Sequence, residues 1–364
     1  MTSLTLKISD LISIIVNSIL LLITLAFFTL GERKLMASMQ RRKGPDVVGF
    51  WGVLQPIADG VKLLFKELII PYRTSVVIFL VGPVLLLTLS LVAWAFIPLT
   101  AFSFISSFHF GVLFTLIGSS LFVFGIICSG WASNSRYAFL GSVRATAQMI
   151  SYELLFGTIT LFIGFFAGNF NFLMIVLAQQ KGWFIFPLFP VFILFLIVML
   201  AETNRTPFDL AEAEAELVAG YNVEYSSIMF AMFFLGEYAN MMLLSVIGVL
   251  YFFGGFNLIV LKILLFCFFF VWVRATLPRY RYDQLMTFGW KHLLPFSFGF
   301  LIFIFSLVLI LDLRTEALIQ INQNILISMI YTIQSPTLLT QIINSNFFFF
   351  KQEITNLLAI YFNV

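Results

Sequence analysis

A chain of 364 residues that is 61 % hydrophobic and 10 % charged, with a net charge of +3, has too little polar surface to face water all round. Soluble domains run near ~45–50 % apolar and about 25 % charged, so a soluble enzyme, a disordered segment and a coiled coil are excluded. The apolar runs are continuous rather than alternating, which argues against an outer-membrane barrel. What remains is an all-α polytopic membrane protein. Cys128 and Cys267 lie inside apolar runs, and His109 and His292 are far apart. No disulfide framework, metal site, haem pair or other redox centre is therefore expected. The 47 Phe residues suit A/T-rich codons and hint at an organelle genome. Met1 to Asp10 show neither an Arg-rich presequence nor a cleavage signal.

A helix needs about 20 mainly apolar residues to cross a bilayer. Eight stretches qualify, near 11–31, 75–97, 108–130, 143–167, 184–201, 226–252, 256–276 and 293–312. No internal repeat is visible. The loops after the first, third, fifth and seventh stretches carry most of the 20 basic residues, from Arg33 and Lys34 to Arg281 and Lys291, whereas the loops between hold Lys181 and Lys262. By the positive-inside rule these long charged loops face the matrix or cytoplasm. Residues 313–364 read differently, rich in Asn, Gln, Ile and Phe and broken by Pro336. They form a separate extension of unknown structure, with an interfacial segment preferred to a ninth span over 325–343.

In the first inner loop (32–73), Glu32 and Arg33 follow an apolar span directly; the plain reading is an interfacial ion pair with snorkelling bases, and it is preferred for Lys34, Arg41 and Lys43. From Gly52 onward Leu54, Ile57, Val61, Leu64 and Leu68 recur at helical spacing, with Asp59, Lys62, Lys66 and Glu67 opposite. That pattern predicts an amphipathic helix lying along the membrane surface, with an Asp59–Lys62 pair on its polar side.

The second inner loop (202–225) holds Glu202, Asp209, Glu212, Glu214, Glu216 and Glu224 with a single base, Arg205. Thr206-Pro207-Phe208-Asp209 reads as a helix start: a capping Thr, Pro at the first position, and an acid three residues after the cap. Asp209, Glu212 and Glu216 then share one face, while Glu214 points elsewhere. A one-sided row of carboxylates raises the pKa of each member, which suits proton transfer, although a solvated acidic helix explains the same pattern. The third inner loop (274–292) interleaves Arg274, Arg279, Arg281 and Lys291 with aromatic residues. A belt at the membrane rim accounts for most of it, and a pocket for an anionic lipid headgroup is the sharper alternative; nucleic acid is not an expected partner.

Three acids reach membrane depth. Glu153 lies about ten residues into the fourth stretch, Glu237 about eleven into the sixth, and Glu202 closes the fifth. An intramembrane acid costs about 2.5 kcal/mol or more, so each must be neutral, paired or wet. A structural hydrogen bond between helices is the plain explanation, and a proton path is the preferred one. Tyr152 and Tyr238 offer hydroxyls beside Glu153 and Glu237.

The stretches GERKLMASMQRRKGPDVVG, QPIADGVKLLFKE, LGSVRATAQMISYELLFG, AETNRTPFDLAEAEAELVAGYNVEY, LGEYANM and LPRYRYDQLMTFGWK occur in order. Together they resemble the family of quinone-site membrane subunits of complex I, in mitochondria the NADH dehydrogenase subunit 1 family. The resemblance covers residues from about 10 to about 312 and leaves the tail unexplained. It implies eight helices in a membrane domain spanning 1–312, several of them strongly tilted, and a quinone chamber where that domain meets a hydrophilic arm. Ubiquinone is then a substrate, and the iron–sulfur clusters, flavin and NADH belong to partner subunits. The implied partners are the quinone-site and iron–sulfur subunits of that arm, small membrane-arm subunits, antiporter-like subunits and lipids.

By the same resemblance Glu32, Arg33, Asp59 and Arg279 line the chamber or its entrance. Asp209, Glu212, Glu214 and Glu216 form the acidic loop beside it. Glu153, Glu202 and Glu237 begin the proton path into the membrane arm, and no residue of the chain is catalytic alone. The location implied is the mitochondrial inner membrane, or a bacterial plasma membrane. The competing expectations are an anchor subunit of a membrane-bound hydrogenase, a stand-alone proton- or cation-coupled transporter, and a structural scaffold.

Overall fold

The computed structural model describes residues 2–98, 110–209, 220–255, 258–307 and 310. The predicted acids Glu212, Glu214 and Glu216, and nearly all of the tail, lie outside the described residues. The chain divides into two compact units, Met1–Ile304 and Phe305–Val364, and everything below concerns the first.

Among the described residues the secondary structure is helical throughout, without strands. In chain order these are α1 (Thr2–Met39), α2 (Gln55–Phe65), α3 (Val76–Ala95), α4 (Gly111–Ala132), α5 (Arg136–Ala167), α6 (Phe172–Ala178), α7 (Phe189–Glu202), α8 (Ser227–Phe252), α9 (Ile259–Thr276) and α10 (Tyr282–Leu307). Six of them, α3, α4, α5, α8, α9 and α10, are long and apolar enough to cross a membrane; α7 is a shorter apolar helix. The protein is therefore multi-pass. In apolar surroundings a chain must satisfy its own backbone, and a helix does so within one segment.

The helices start and stop on local chemistry. Ser135 caps α5 by accepting from the Ala138 amide, and Gly168 in the left-handed region closes it. Small residues then let neighbouring helices touch. A Cβ on Gly130 would lie 2.1 Å from the Ser142 hydroxyl oxygen, so α4 and α5 approach only because that side chain is missing. Helix α8 is the most buried of the six and α10 the least. Around α8 packs a core of Phe79, Leu86, Phe122, Ile126, Met149, Tyr221, Tyr225 and Phe233. Phe79 stacks on Tyr225 at 4.1 Å, and the Tyr225 hydroxyl donates to the Ser129 carbonyl at 3.1 Å.

Of the boundaries that differ from those expected, two bear on the site. The last apolar stretch begins at Tyr282 rather than near 293, so residues 282–292 are helical and not a loop. The reason lies in packing: Leu285, Gly289 and Leu293 recur at four-residue spacing and are buried. A π-helical turn over Phe288–Leu293 places Gly289 against the Tyr152 ring and lets Trp290 Nε1 donate to the Ser151 hydroxyl at 3.3 Å. Conversely, Thr206 to Phe208 do not start a helix. They form a turn closed by the Phe208 amide donating to the Arg205 carbonyl at 2.8 Å, and Thr206 Oγ1 has no hydrogen-bond partner among the described residues.

Candidate functional site

Three groups of opposite charges gather where α1, the 203–209 turn and the 274–281 segment meet. Glu32, just beyond the apolar run of α1, is 4 % exposed. Its carboxylate pairs with Arg274, lies 3.5 Å from Arg205, and accepts the Tyr238 hydroxyl at 2.6 Å. Arg205 also lies over the Tyr238 ring, 4.5 Å from its centroid. Burial pushes the Glu32 carboxyl up, but Arg205, Arg274 and the Tyr238 hydroxyl together outweigh it and hold the group below the ordinary carboxylate range.

The residue next to Glu32, Arg33, turns to the other side and pairs with Asp59 of α2 at 2.9 Å. Gln55 donates to the second Asp59 oxygen at 3.0 Å. Four residues after Arg205, buried Asp209 pairs with Arg279 at 3.2 Å. Glu32 and Arg33, Arg205 and Asp209, Arg274 and Arg279 thus each serve two groups from one short stretch of backbone.

These pairings set aside two plain readings of the sequence. Asp59 binds Arg33, not Lys62 one turn along its own helix, because the guanidinium reaches across to a carboxylate whose other oxygen Gln55 already fixes. Glu32 is no surface partner of Arg33 but the buried centre of a network. Arg205, Arg274 and Tyr238 were invisible as its partners, since they lie up to 242 residues away in sequence. One signal existed: a lone base in an acid-rich loop and a base closing an apolar helix both need carboxylates.

The turn that carries Arg205 and Asp209 is held from α5 and from the segment between α9 and α10. Gln148 of α5 is fully buried, and its amide nitrogen donates to the carbonyls of Ala201 at 2.8 Å and Phe208 at 2.9 Å. From the other side the Tyr280 amide donates to the Pro207 carbonyl at 3.1 Å, and the Tyr280 ring stacks on Phe208 at 5.7 Å.

The acids at membrane depth are built differently. Glu202, at the end of α7, is 2 % exposed, and one of its oxygens lacks a partner among the described residues. Its neighbours are the Glu153 carboxylate and the Ser119 hydroxyl. Neither Glu202 nor Glu153 makes an ion pair among the described residues. Glu237 takes the Tyr221 hydroxyl rather than that of its neighbour Tyr238, which goes to Glu32, while the Tyr152 hydroxyl goes to the Leu285 carbonyl. A small cavity lined by Ser90, Thr115, Ser119 and Asn240 adjoins the Glu202 side; its volume of about 10 Å³ is that of roughly one water.

A larger cleft of about 350 Å³ opens between α2 and the start of α8. Arg33, Asp59, Lys62, Lys66, Tyr225, Ser226, Ser227 and Phe230 line it. On α2 the apolar residues Ile57, Val61 and Leu64 are exposed, whereas Asp59, Lys62 and Lys66 turn to the cleft. Such a helix suits lipid outside and a polar passage within. No group of three or more His, Cys, Asp or Glu among the described residues is placed to hold a metal ion.

With this geometry in hand, comparison with known proteins is informative. The sequence model of the family described as NADH dehydrogenase matches residues 12–305. The NADH-ubiquinone oxidoreductase chain 1 of Chondrus crispus is 53 % identical over 316 residues, 83 % of this chain and 97 % of the relative. That of Dictyostelium citrinum is 56 % identical over 295 residues, 80 % of this chain and 91 % of the relative. A bacterial relative, an NADH-quinone oxidoreductase subunit from Paramagnetospirillum magneticum, is 53 % identical over 296 residues, 78 % of this chain and 87 % of the relative.

Proposed function

This chain belongs to the NADH dehydrogenase family, and from that premise we propose that it is the quinone-binding, energy-coupling membrane subunit of a proton-pumping NADH:ubiquinone oxidoreductase. The observation that carries the proposal is the joined set of ion pairs on Glu32, Asp59 and Asp209, beside a cleft with polar walls and an apolar outer face. The membrane domain, residues 1–312, crosses the inner mitochondrial membrane eight times, with α1 and α7 completing the set and α2 lying along the matrix surface. The long charged loops face the matrix. Residues 313–364 are a lineage-specific extension.

Ubiquinone enters by the cleft past Arg33 and Asp59 and is reduced by iron–sulfur clusters of a partner subunit in the hydrophilic arm. Reduction takes up two protons and places negative charge in a poorly hydrated chamber. Arg33 and Arg279 are cations with carboxylate partners on one side only, positioned to meet that charge. A change at Asp209 or Arg205 reaches Glu202 directly, because Gln148 ties the end of α7 to the same turn. Glu153, Glu202 and Glu237 then pass the change into small membrane-arm and antiporter-like partners, with Glu212, Glu214 and Glu216 contributing beside the chamber. A photoreactive ubiquinone analogue applied to the intact complex tests the entrance: labelling of this chain within 31–73 or 225–230 is expected, and labelling confined to other subunits refutes it.

A further inference from the structure

Helix α2 ends without the glycine that commonly closes a helix: Lys66 at its C-cap is extended, with ψ of 139°. Its last carbonyls therefore need partners from elsewhere. They find them across the cleft. The Ser227 hydroxyl donates to the Lys66 carbonyl at 2.7 Å, with the Leu63 carbonyl at 3.1 Å. The Ser226 hydroxyl oxygen accepts the Ile69 amide at 3.0 Å and lies 3.4 Å from the Glu67 carbonyl. Two consecutive serines thus hold four backbone groups of a segment 157 to 164 residues earlier.

The backbone shows that this contact is enforced. Ser227 is 2 % exposed and has φ of +61°, a left-handed conformation that residues with a Cβ avoid. Strain of this kind persists only where the surroundings over-determine it, and it clusters at functional sites. Ser227 is also the first residue of α8, the helix that carries Glu237 and Tyr238. An isolated helix as short as α2 is marginal in water. The exposed Arg33–Asp59 pair ties α2 to α1, whereas the serines tie its end to the start of α8.

We propose that Ser226 and Ser227 are positioning residues that set the width of the cleft between α2 and α8 and thereby select a quinone by its long apolar tail. The selection rests on the proposed entrance; the clamp itself rests only on the hydrogen bonds. A loosened α2 turns one cleft width into a distribution, which hinders a tail that must thread the passage. A short-tailed quinone and the chemistry at the ring are insensitive to it.

The test uses the intact membrane-bound complex carrying Ser226→Ala, Ser227→Ala, Ser227→Gly, the double alanine variant and Ser226→Thr. Amide hydrogen exchange is followed over residues 61–70, with KM and kcat for a long-tailed and a short-tailed ubiquinone. The Ile69 amide should exchange roughly tenfold faster in Ser226→Ala, the effect of losing about one hydrogen bond. The double variant should raise the long-tail KM about fivefold, with kcat and the short-tail KM within about twofold. Ser226→Thr should restore both. Ser227→Gly should match Ser227→Ala; wild-type behaviour of the glycine variant assigns the effect to the backbone and overturns the hydroxyl clamp. Unchanged exchange in an assembled double variant also overturns the clamp. Faster exchange with both KM values unchanged leaves the clamp standing and refutes tail selection, while photolabelling of the wild-type complex decides the entrance separately. If the double variant does not assemble, the single variants decide by the same readings.

Discussion

The charged rim and the apolar interior of this molecule treat carboxylates in opposite ways. At the rim Glu32, Asp59 and Asp209 each face a guanidinium, and Glu32 faces two. At membrane depth Glu202 and Glu153 face each other, with the Ser119 hydroxyl nearby and no ion pair among the described residues. A compensated charge is stable and holds structure; it is expensive to disturb, because removing one partner strands the other. Acids grouped with acids and hydroxyls change state when the local field changes, which is the behaviour a coupling path needs. The two regions are adjacent through the 203–209 turn, so a structural network and a responsive one share a single piece of backbone.

The comparison breaks most visibly at Glu32. Glu32→Ala strands the largely buried Arg205 and the half-buried Arg274 beside an empty site, a loss of about 2–3 kcal/mol. Native gels should then show little assembled complex, and normal assembly would place Glu32 outside the structural class. Next in size, Gln148→Leu removes two N–H donors and leaves the Phe208 carbonyl without its partner, while the Ala201 carbonyl keeps the Asn204 amide at 3.4 Å, a loss of about 1–2 kcal/mol. A lower melting temperature of the purified complex and faster exchange across 201–209 are expected, and an unchanged melt contradicts the assigned role.

Arg33→Ala is the mildest, since Arg33 and Asp59 are 54 % and 39 % exposed and such pairs contribute about 0–1 kcal/mol. Stability should hold while the apparent KM for ubiquinone rises severalfold; an unaltered KM argues against the entrance. Acid sharpens the same contrast. With its folded pKa held below the ordinary value of 4.5, Glu32 contributes stability that is fully present above that value and is lost as pH falls through the lower folded one. Wild-type complex should therefore lose stability below about pH 4.5 more steeply than Glu32→Gln, read from thermal melts across pH.

Much of this was legible in the sequence, and the illegible part has a common cause. Apolar run length marked α3, α4, α8, α9 and the end of α5 closely, because a span needs only a local property. The amphipathic period of α2 was likewise local, and the structure places its helix at Gln55–Phe65. Partner choice was not local. Nothing in the order of residues says that Tyr238 leaves its neighbour Glu237 for Glu32, or that Asp59 prefers Arg33 to Lys62. The start of α10 was hidden by aromatic and basic residues, which read as a membrane rim although Leu285, Gly289 and Leu293 also gave a helical stripe. Ser226 and Ser227 carried no signal at all, since their partners are backbone carbonyls and an amide.

On the function proposed above, Glu153, Glu202 and Glu237 convert quinone reduction into proton movement. Glu202→Gln keeps shape and hydrogen-bonding capacity while removing the titratable group. In proteoliposomes containing the intact complex, simultaneous recording of NADH oxidation and proton translocation gives protons moved per electron. The account predicts a fall in that ratio with the complex fully assembled. An unchanged ratio in an assembled Glu202→Gln complex would contradict it.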